Sequence, residues 1–162
     1  MRFLVLQGPN LNLFGRREPH IYGTMTLGDI NARIKTLATE LKVDVAFIQS
    51  NHEGDLVDFL HENMDRAQGA ILNPAALTQY GVSLHDAIKA MPFPVIEVHM
   101  SNLAQREEWR HRSIISPAVK GTVQGFNWRS YTAAFRLAVE MAQDSQGSKK
   151  TKAAPKKKAR RR

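Results

Sequence analysis

The sequence predicts an α/β chain whose strands form one parallel, doubly wound sheet in a single domain. Three observations carry this expectation. Apolar runs of strand length alternate with segments of helical periodicity from residue 3 to residue 143. Strictly alternating strands and helices pack as a parallel sheet with helices on both faces. Polar clusters follow the ends of the first four strands, where open sheets of this class bind their ligands. Five strands in 162 residues select the flavodoxin-like member of the class.

Phe3-Leu4-Val5-Leu6 reads as a short buried strand. The loop after it, residues 7–24, is far longer than a turn requires, and such connections are commonly lids or binding loops. It holds glycines 8, 15 and 23, the pair Arg16-Arg17, and Tyr22. Spaced glycines supply hinges and guanidiniums bind anions, although charges merely solvated on a surface loop would look the same. Ile30, Ile34, Leu37 and Leu41 recur at helical spacing and predict a helix over 26–42. Val43 to Ile48 is the second strand. Ser50-Asn51-His52-Glu53 has the pattern of a capping box, opening a helix with Val57, Leu60 and Met64 on its apolar face. Gly69 to Leu72 is the third strand, ended by Asn73-Pro74. Leu84, Ile88 and Met91 mark a helix stopped by Pro92. Pro94 to Val98 forms the fourth strand, 106–112 a short helix, and Val119 to Val123 the fifth strand. A last helix over 128–143 carries Tyr131, Phe135, Ala138 and Met141.

The formal net charge of +8 is unevenly placed. Residues 145–162 hold nine Lys and Arg and no acid, leaving 14 basic against 15 acidic side chains in residues 1–144, a net of −1. The expected division is a folded domain over 1–144 and a disordered basic tail over 145–162, which has almost nothing to bury. A near-neutral body argues against nucleic-acid binding as the main role. With no cysteine, disulfides, thiolate zinc sites and cysteine nucleophiles are excluded. No signal-peptide pattern opens the chain, and no apolar run approaches the roughly 20 residues that span a bilayer, so a cytoplasmic location without membrane contact is expected.

No metal-ligand spacing stands out among the histidines, and neither a G-x-G-x-x-G fingerprint nor a P-loop occurs. No Ser sits in a nucleophile elbow. What remains is Tyr22 near Arg17, His99 after strand four, and the amides of Asn10 and Asn73. This set suits proton transfer. A tyrosine hydroxyl, with a pKa of about 10, becomes a base only when a nearby cation such as Arg17 stabilises its phenolate. His99 can donate a proton near neutral pH, and an Asn amide can hydrogen-bond a developing enolate. Spacing alone equally accommodates Tyr22 as a half-buried loop aromatic, His99 as a satisfied strand-end histidine and Asn73 as a turn former.

Four motifs then occur in order: Gly8-Pro9-Asn10-Leu11-Asn12-Leu13 with Arg17-Glu18-Pro19 and Tyr22-Gly23; Ser50-Asn51-His52-Glu53-Gly54; Glu97-Val98-His99-Met100-Ser101-Asn102; and Arg106-Glu107-Glu108-Trp109-Arg110. Together they resemble type II 3-dehydroquinate dehydratase over about residues 3–141. The resemblance implies reversible anti elimination of water from 3-dehydroquinate to 3-dehydroshikimate, through an enolate and without cofactor or metal. That reaction serves the shikimate pathway or quinate breakdown. The resemblance makes Tyr22 the base that takes the C2 proton and Arg17 the cation that lowers its pKa. His99 becomes the acid for the departing hydroxyl, and Asn10 holds the water that stabilises the enolate. Asn73, the backbone at Met100-Ser101 and Arg110 grip the substrate's carboxylate and hydroxyls. Asp86 is lent to the adjacent subunit's site, which implies a dodecamer built from trimers. Glycines 15 and 23 would let 14–24 close as a lid that excludes water.

The chain departs from the family pattern in three places. Six residues after Asn73, where the family has His, stands Gln79, which hydrogen-bonds but carries no charge. An altered substrate grip with intact proton chemistry is expected. His85 stands where Arg is common, and Asn127 where Gly is common. The resemblance does not cover 145–162. Nine cations there either only solubilise the chain or contact nucleic acid or another polyanion, an attraction that a twelve-copy assembly multiplies.

Overall fold

The structure, a computed structural model, describes residues 1–16, 21 and 23–153, with side chains to residue 146. Five parallel strands among these lie in the order β2-β1-β3-β4-β5. They are β1 (Arg2–Gln7), β2 (Asp44–Gln49), β3 (Gly69–Asn73), β4 (Val95–His99) and β5 (Gly121–Gln124). The expected flavodoxin-like sheet is therefore present. After β2 the chain crosses back over β1 to place β3 on the other side. That reversal puts a switch point at the carboxyl ends of β1 and β3, where Gln7 and Asn73 are register partners.

The helices are α1 (Leu27–Glu40), α2 (Glu53–Asn63), α3 (Leu77–Tyr80), α4 (Val82–Ala90) and α5 (Arg129–Ala153). Side chains alternate along β1, so Phe3 and Val5 join Ile30 and Ile34 of α1 and Tyr131 and Phe135 of α5 in one layer. Leu4 and Leu6 face the opposite way, onto Leu56 and Leu60 of α2 and Leu84 and Ile88 of α4. Each such large side chain, fully withdrawn from water, contributes about 1.5–3 kcal/mol before entropy is counted. A sheet packed on both faces is a stiff base for the groups at its carboxyl edge.

The start of α1 is a full capping box, Thr26 accepting from the Asp29 amide at 3.1 Å and Asp29 from the Thr26 amide at 2.9 Å. The box expected at Ser50–Glu53 does not form, because α2 begins only at Glu53 with His52 as its cap. Ser50 instead donates to Asp55 at 2.5 Å, and Glu53 crosses to the Leu84 amide at 2.8 Å, closing the start of α4. The short helix expected over 106–112 is replaced by 3-10 turns at Leu103–Gln105, Glu108–Arg110 and Ser116–Ala118. The one-turn helix α3 has no counterpart in the sequence reading. The last helix, expected over 128–143, is longer, since α5 runs on through Ala153. Lys and Gln are good helix formers, and the first residue that a helix interior rejects is Pro155. Among the described residues, no helix is long and apolar enough to cross a membrane.

Candidate active site

The carboxyl ends of β1, β3 and β4 surround a cavity of about 160 Å³. A water molecule takes up about 30 Å³ of liquid, so the space is of small-metabolite size. Asn10, Asn73, Gln79, His99 and Arg110 all line it, beside Met100 and Ser101. Three of the four polar clusters thus converge as expected. The cluster after β2 does not line the cavity but braces it, with Gln49 donating to the Gly8 carbonyl at 3.3 Å and Asn51 accepting from the Asn10 amide at 2.9 Å. Tyr22 and Arg17 lie outside the described residues. Ile21, between them, lines a neighbouring groove with Met100, Ser101 and Asn127. Asp86 is exposed in a separate groove with Val82, His85 and Arg112.

The loop after β1 is seated by a close approach. The Gly8 amide donates to the Asn73 carbonyl at 2.8 Å, and a Cβ at residue 8 would stand 2.4 Å from the Pro74 oxygen. Only glycine allows that contact. Asn10 follows with φ 65°, a left-handed conformation that Asn tolerates better than most residues, and its side chain is exposed on the cavity wall. Gly15 and Gly23, with φ 84° and 78°, flank the segment that carries Arg17 and Tyr22.

His99 closes β4, with 5% of its surface exposed. Its Nε2 donates to Glu97 Oε1 at 2.7 Å, leaving Nδ1 as the nitrogen for a ligand. Glu97 is wholly buried beneath it. Burial by itself pushes a carboxyl up, but the bond and charge of His99 and the Ser116 and Ser113 hydroxyls outweigh it. Glu97 is held below the usual carboxylate value and stays ionised. An ionised carboxylate on Nε2 fixes the ring's tautomer and orientation.

Asn73 is buried, with Nδ2 donating to the Tyr131 hydroxyl at 2.8 Å and Oδ1 accepting from the Ala75 amide at 3.1 Å. One amide hydrogen remains for a ligand. Gln79 Nε2 faces the carbonyls of Arg110 and Arg112 at 3.4 and 3.5 Å, and its Oε1 is buried without a partner among the described residues. That oxygen offers an acceptor to a ligand hydroxyl. Arg110 stacks on Trp109 and donates to Glu107 at 2.9 Å.

Sequence reasoning gave no role to two side chains that the structure places at the cavity wall and behind His99. Arg106 stood in a quoted motif without a role, yet its side chain is 8% exposed, lines the cavity and donates to Ser101 at 3.3 Å. Glu97 also stood in a motif, two residues before His99 on the same face of a strand, and that spacing could have found it. Among the described residues, no three His, Asp or Glu side chains gather as a metal-ligand group.

Residues 1–139 match the family described as dehydroquinase class II. A 3-dehydroquinate dehydratase of Rhizobium meliloti is 51% identical over 141 residues, covering 87% of this chain and 95% of that one. A 3-dehydroquinate dehydratase of Herpetosiphon aurantiacus is 50% identical over 131 residues, covering 81% and 91%. The solved type II dehydroquinase of Propionibacterium acnes superposes with a TM-score of 0.82 at 40% identity, covering 86% of this chain and 96% of its own.

Proposed function

This chain belongs to the class II dehydroquinase family and catalyses loss of water from 3-dehydroquinate to give 3-dehydroshikimate, a step of the shikimate pathway, and on that premise we propose how its side chains share the work. His99 is the acid that protonates the departing hydroxyl. The observation that carries this is its buried bond to ionised Glu97 at the edge of a cavity that Arg106 and Arg110 also line. Tyr22 is the base that removes the C2 proton in an anti elimination, and Arg17 favours its phenolate. Asn10 holds the water that stabilises the enolate, and no cofactor or metal takes part. Asn73, the backbone at Met100-Ser101, Arg106 and Arg110 hold the carboxylate and hydroxyls, with Gln79 accepting from a hydroxyl.

Asp86 reaches the adjacent subunit's site in a trimer-based dodecamer. Its support is the groove of about 530 Å³ beside it and the 63% exposure of Val82 on the same helix, a large apolar side chain in need of a partner. Residues 1–144 act as the catalytic unit in the cytoplasm, and the nine Lys and Arg of 145–162 solubilise the chain, with weak contact to polyanions as the second reading. The test of the chemistry is the absorbance of the conjugated enone formed from 3-dehydroquinate. Tyr22→Phe in an intact fold is expected to remove nearly all turnover, and a variant that kept wild-type kcat would take the base role from Tyr22.

A further inference from the structure

Glu97 is the acceptor for four side chains that come from three places in the sequence: its own strand, the segment 113–116 and β5. His99 and Ser113 reach Oε1 at 2.7 and 3.3 Å, and Ser116 and Thr122 reach Oε2 at 2.5 and 3.5 Å. The Ser113 oxygen also accepts the amides of Ile115 and Ser116 at 3.1 and 2.9 Å, so its hydrogen is committed to Glu97. Thr122 is the register partner of Glu97 on β5, which places both side chains on one face of the sheet. The segment with both serines is tied to its neighbours, Ile114 donating to the Thr78 carbonyl at 2.9 Å and accepting from His85 Nδ1 at 2.7 Å.

A lone carboxylate buried against an imidazole has two ways to hold one proton, as an ion pair or as a neutral acid beside a neutral ring. Each further donor on the carboxylate favours the ion pair. Resting on the reading of His99 as the acid, we propose that Ser116 foremost, with Ser113 and Thr122, positions the proton for delivery. Their hydroxyls keep the negative charge on Glu97, so the proton stays on the imidazole and leaves from Nδ1. In the step, the Nδ1 proton goes to the departing hydroxyl, the carbon–oxygen bond breaks and water leaves. The ring is left neutral, its remaining hydrogen on Nε2 and still bonded to Glu97. Ser116, with the shortest bond, carries most of the effect, and Thr122, with the longest, carries least.

The other titratable groups around the pair are few among the described residues. Arg106 and Arg110 line the cavity with His99, and α5 brings Tyr131 behind Asn73. From α4 come His85, Asp86 and Lys89, the first touching the serine segment at Ile114. Neither β3 nor β5 has a titratable side chain.

The experiment compares full-length wild type, Ser116→Ala and Ser116→Thr by the pH profile of kcat and by an NMR titration of His99. In Ser116→Ala the pair binds its proton more tightly but more of it on Glu97. The alkaline limb of kcat and the NMR midpoint are then expected to move up by about one pH unit, and the plateau to fall about tenfold. Ser116→Thr keeps the hydroxyl and is expected to restore both. Glu97→Gln removes the anion and is expected to move the NMR midpoint the other way. Should Ser116→Ala fail to fold, Thr122→Val removes one hydroxyl from the strand and repeats the test with a smaller shift. A folded alanine variant with both midpoints unmoved overturns the proposal, leaving the serine a structural part. An NMR midpoint that moves while the kcat limb stays takes the acid role from His99, and the proposal falls with that reading.

Discussion

The two sides of the cavity are built in opposite ways. On the β4 side, Glu97 and His99 are 0% and 5% exposed, and three side chains from two other segments fix the charge between them. On the β1 side, Asn10 is exposed, and Gly15 and Gly23 flank their segment in left-handed conformations. One side is a piece of core that reaches the surface, and the other is surface chain pinned to the core at a few backbone bonds. A proton donor needs a fixed counter-charge, which only packed surroundings hold in place. A group that must admit and enclose a substrate belongs on chain that rearranges at little cost.

The largest effect is expected where the fixed side is cut. His99→Ala should lower kcat by about 10²–10⁴-fold, the range for losing a general acid, with circular dichroism unchanged. Retained turnover would mean that the buried pair is structural and the comparison misassigns the chemistry. The next tests the pin of the loop side. A methyl at Gly8→Ala must part Asn10's loop from Pro74, where 2.4 Å is too close for any carbon. Overpacking of this kind costs about 1–3 kcal/mol, which thermal unfolding would register as a Tm lower by roughly 2–10 °C. An unchanged Tm would show that the loop is seated by something else.

The fold was legible in the sequence because its evidence is periodic and local. Apolar runs gave the five strands, and Ile30, Ile34 and Leu37, all in the core, gave α1. What escaped depends on residues distant in sequence. Glu53 looked like a cap for its own helix and caps Leu84, 31 residues on. The donors to Glu97 stand 16, 19 and 25 residues away from it, a separation that no spacing rule detects. His99, Asn10, Asn73 and Arg110 were legible through motifs, and the structure brings them to one cavity. Arg106 lay in a motif too, but its burial at the cavity wall is invisible in a string of letters. The end of α5 lies beyond the expected residue 143 because the apolar positions that placed it, Tyr131 to Met141, stop there, while the helix runs on through Ala153 over residues that include the good helix formers Gln146 and Lys149.

The smallest expected effect comes from the fixed side and asks how far its rigidity extends. Tyr131→Phe keeps the fully buried ring and removes only the hydroxyl that accepts from Asn73 at 2.8 Å. Asn73 retains the Ala75 bond through Oδ1, so it loses one of two restraints and not its place. A neutral hydrogen bond of this kind is worth about 1 kcal/mol, or about fivefold in an equilibrium. If Asn73 only grips the substrate, that loss is expected in KM with kcat unchanged, and steady-state kinetics separate the two. A fall in kcat at constant KM would instead place Asn73 among the groups that stabilise the transition state, and the fixed side of the cavity would extend from β4 across to β3.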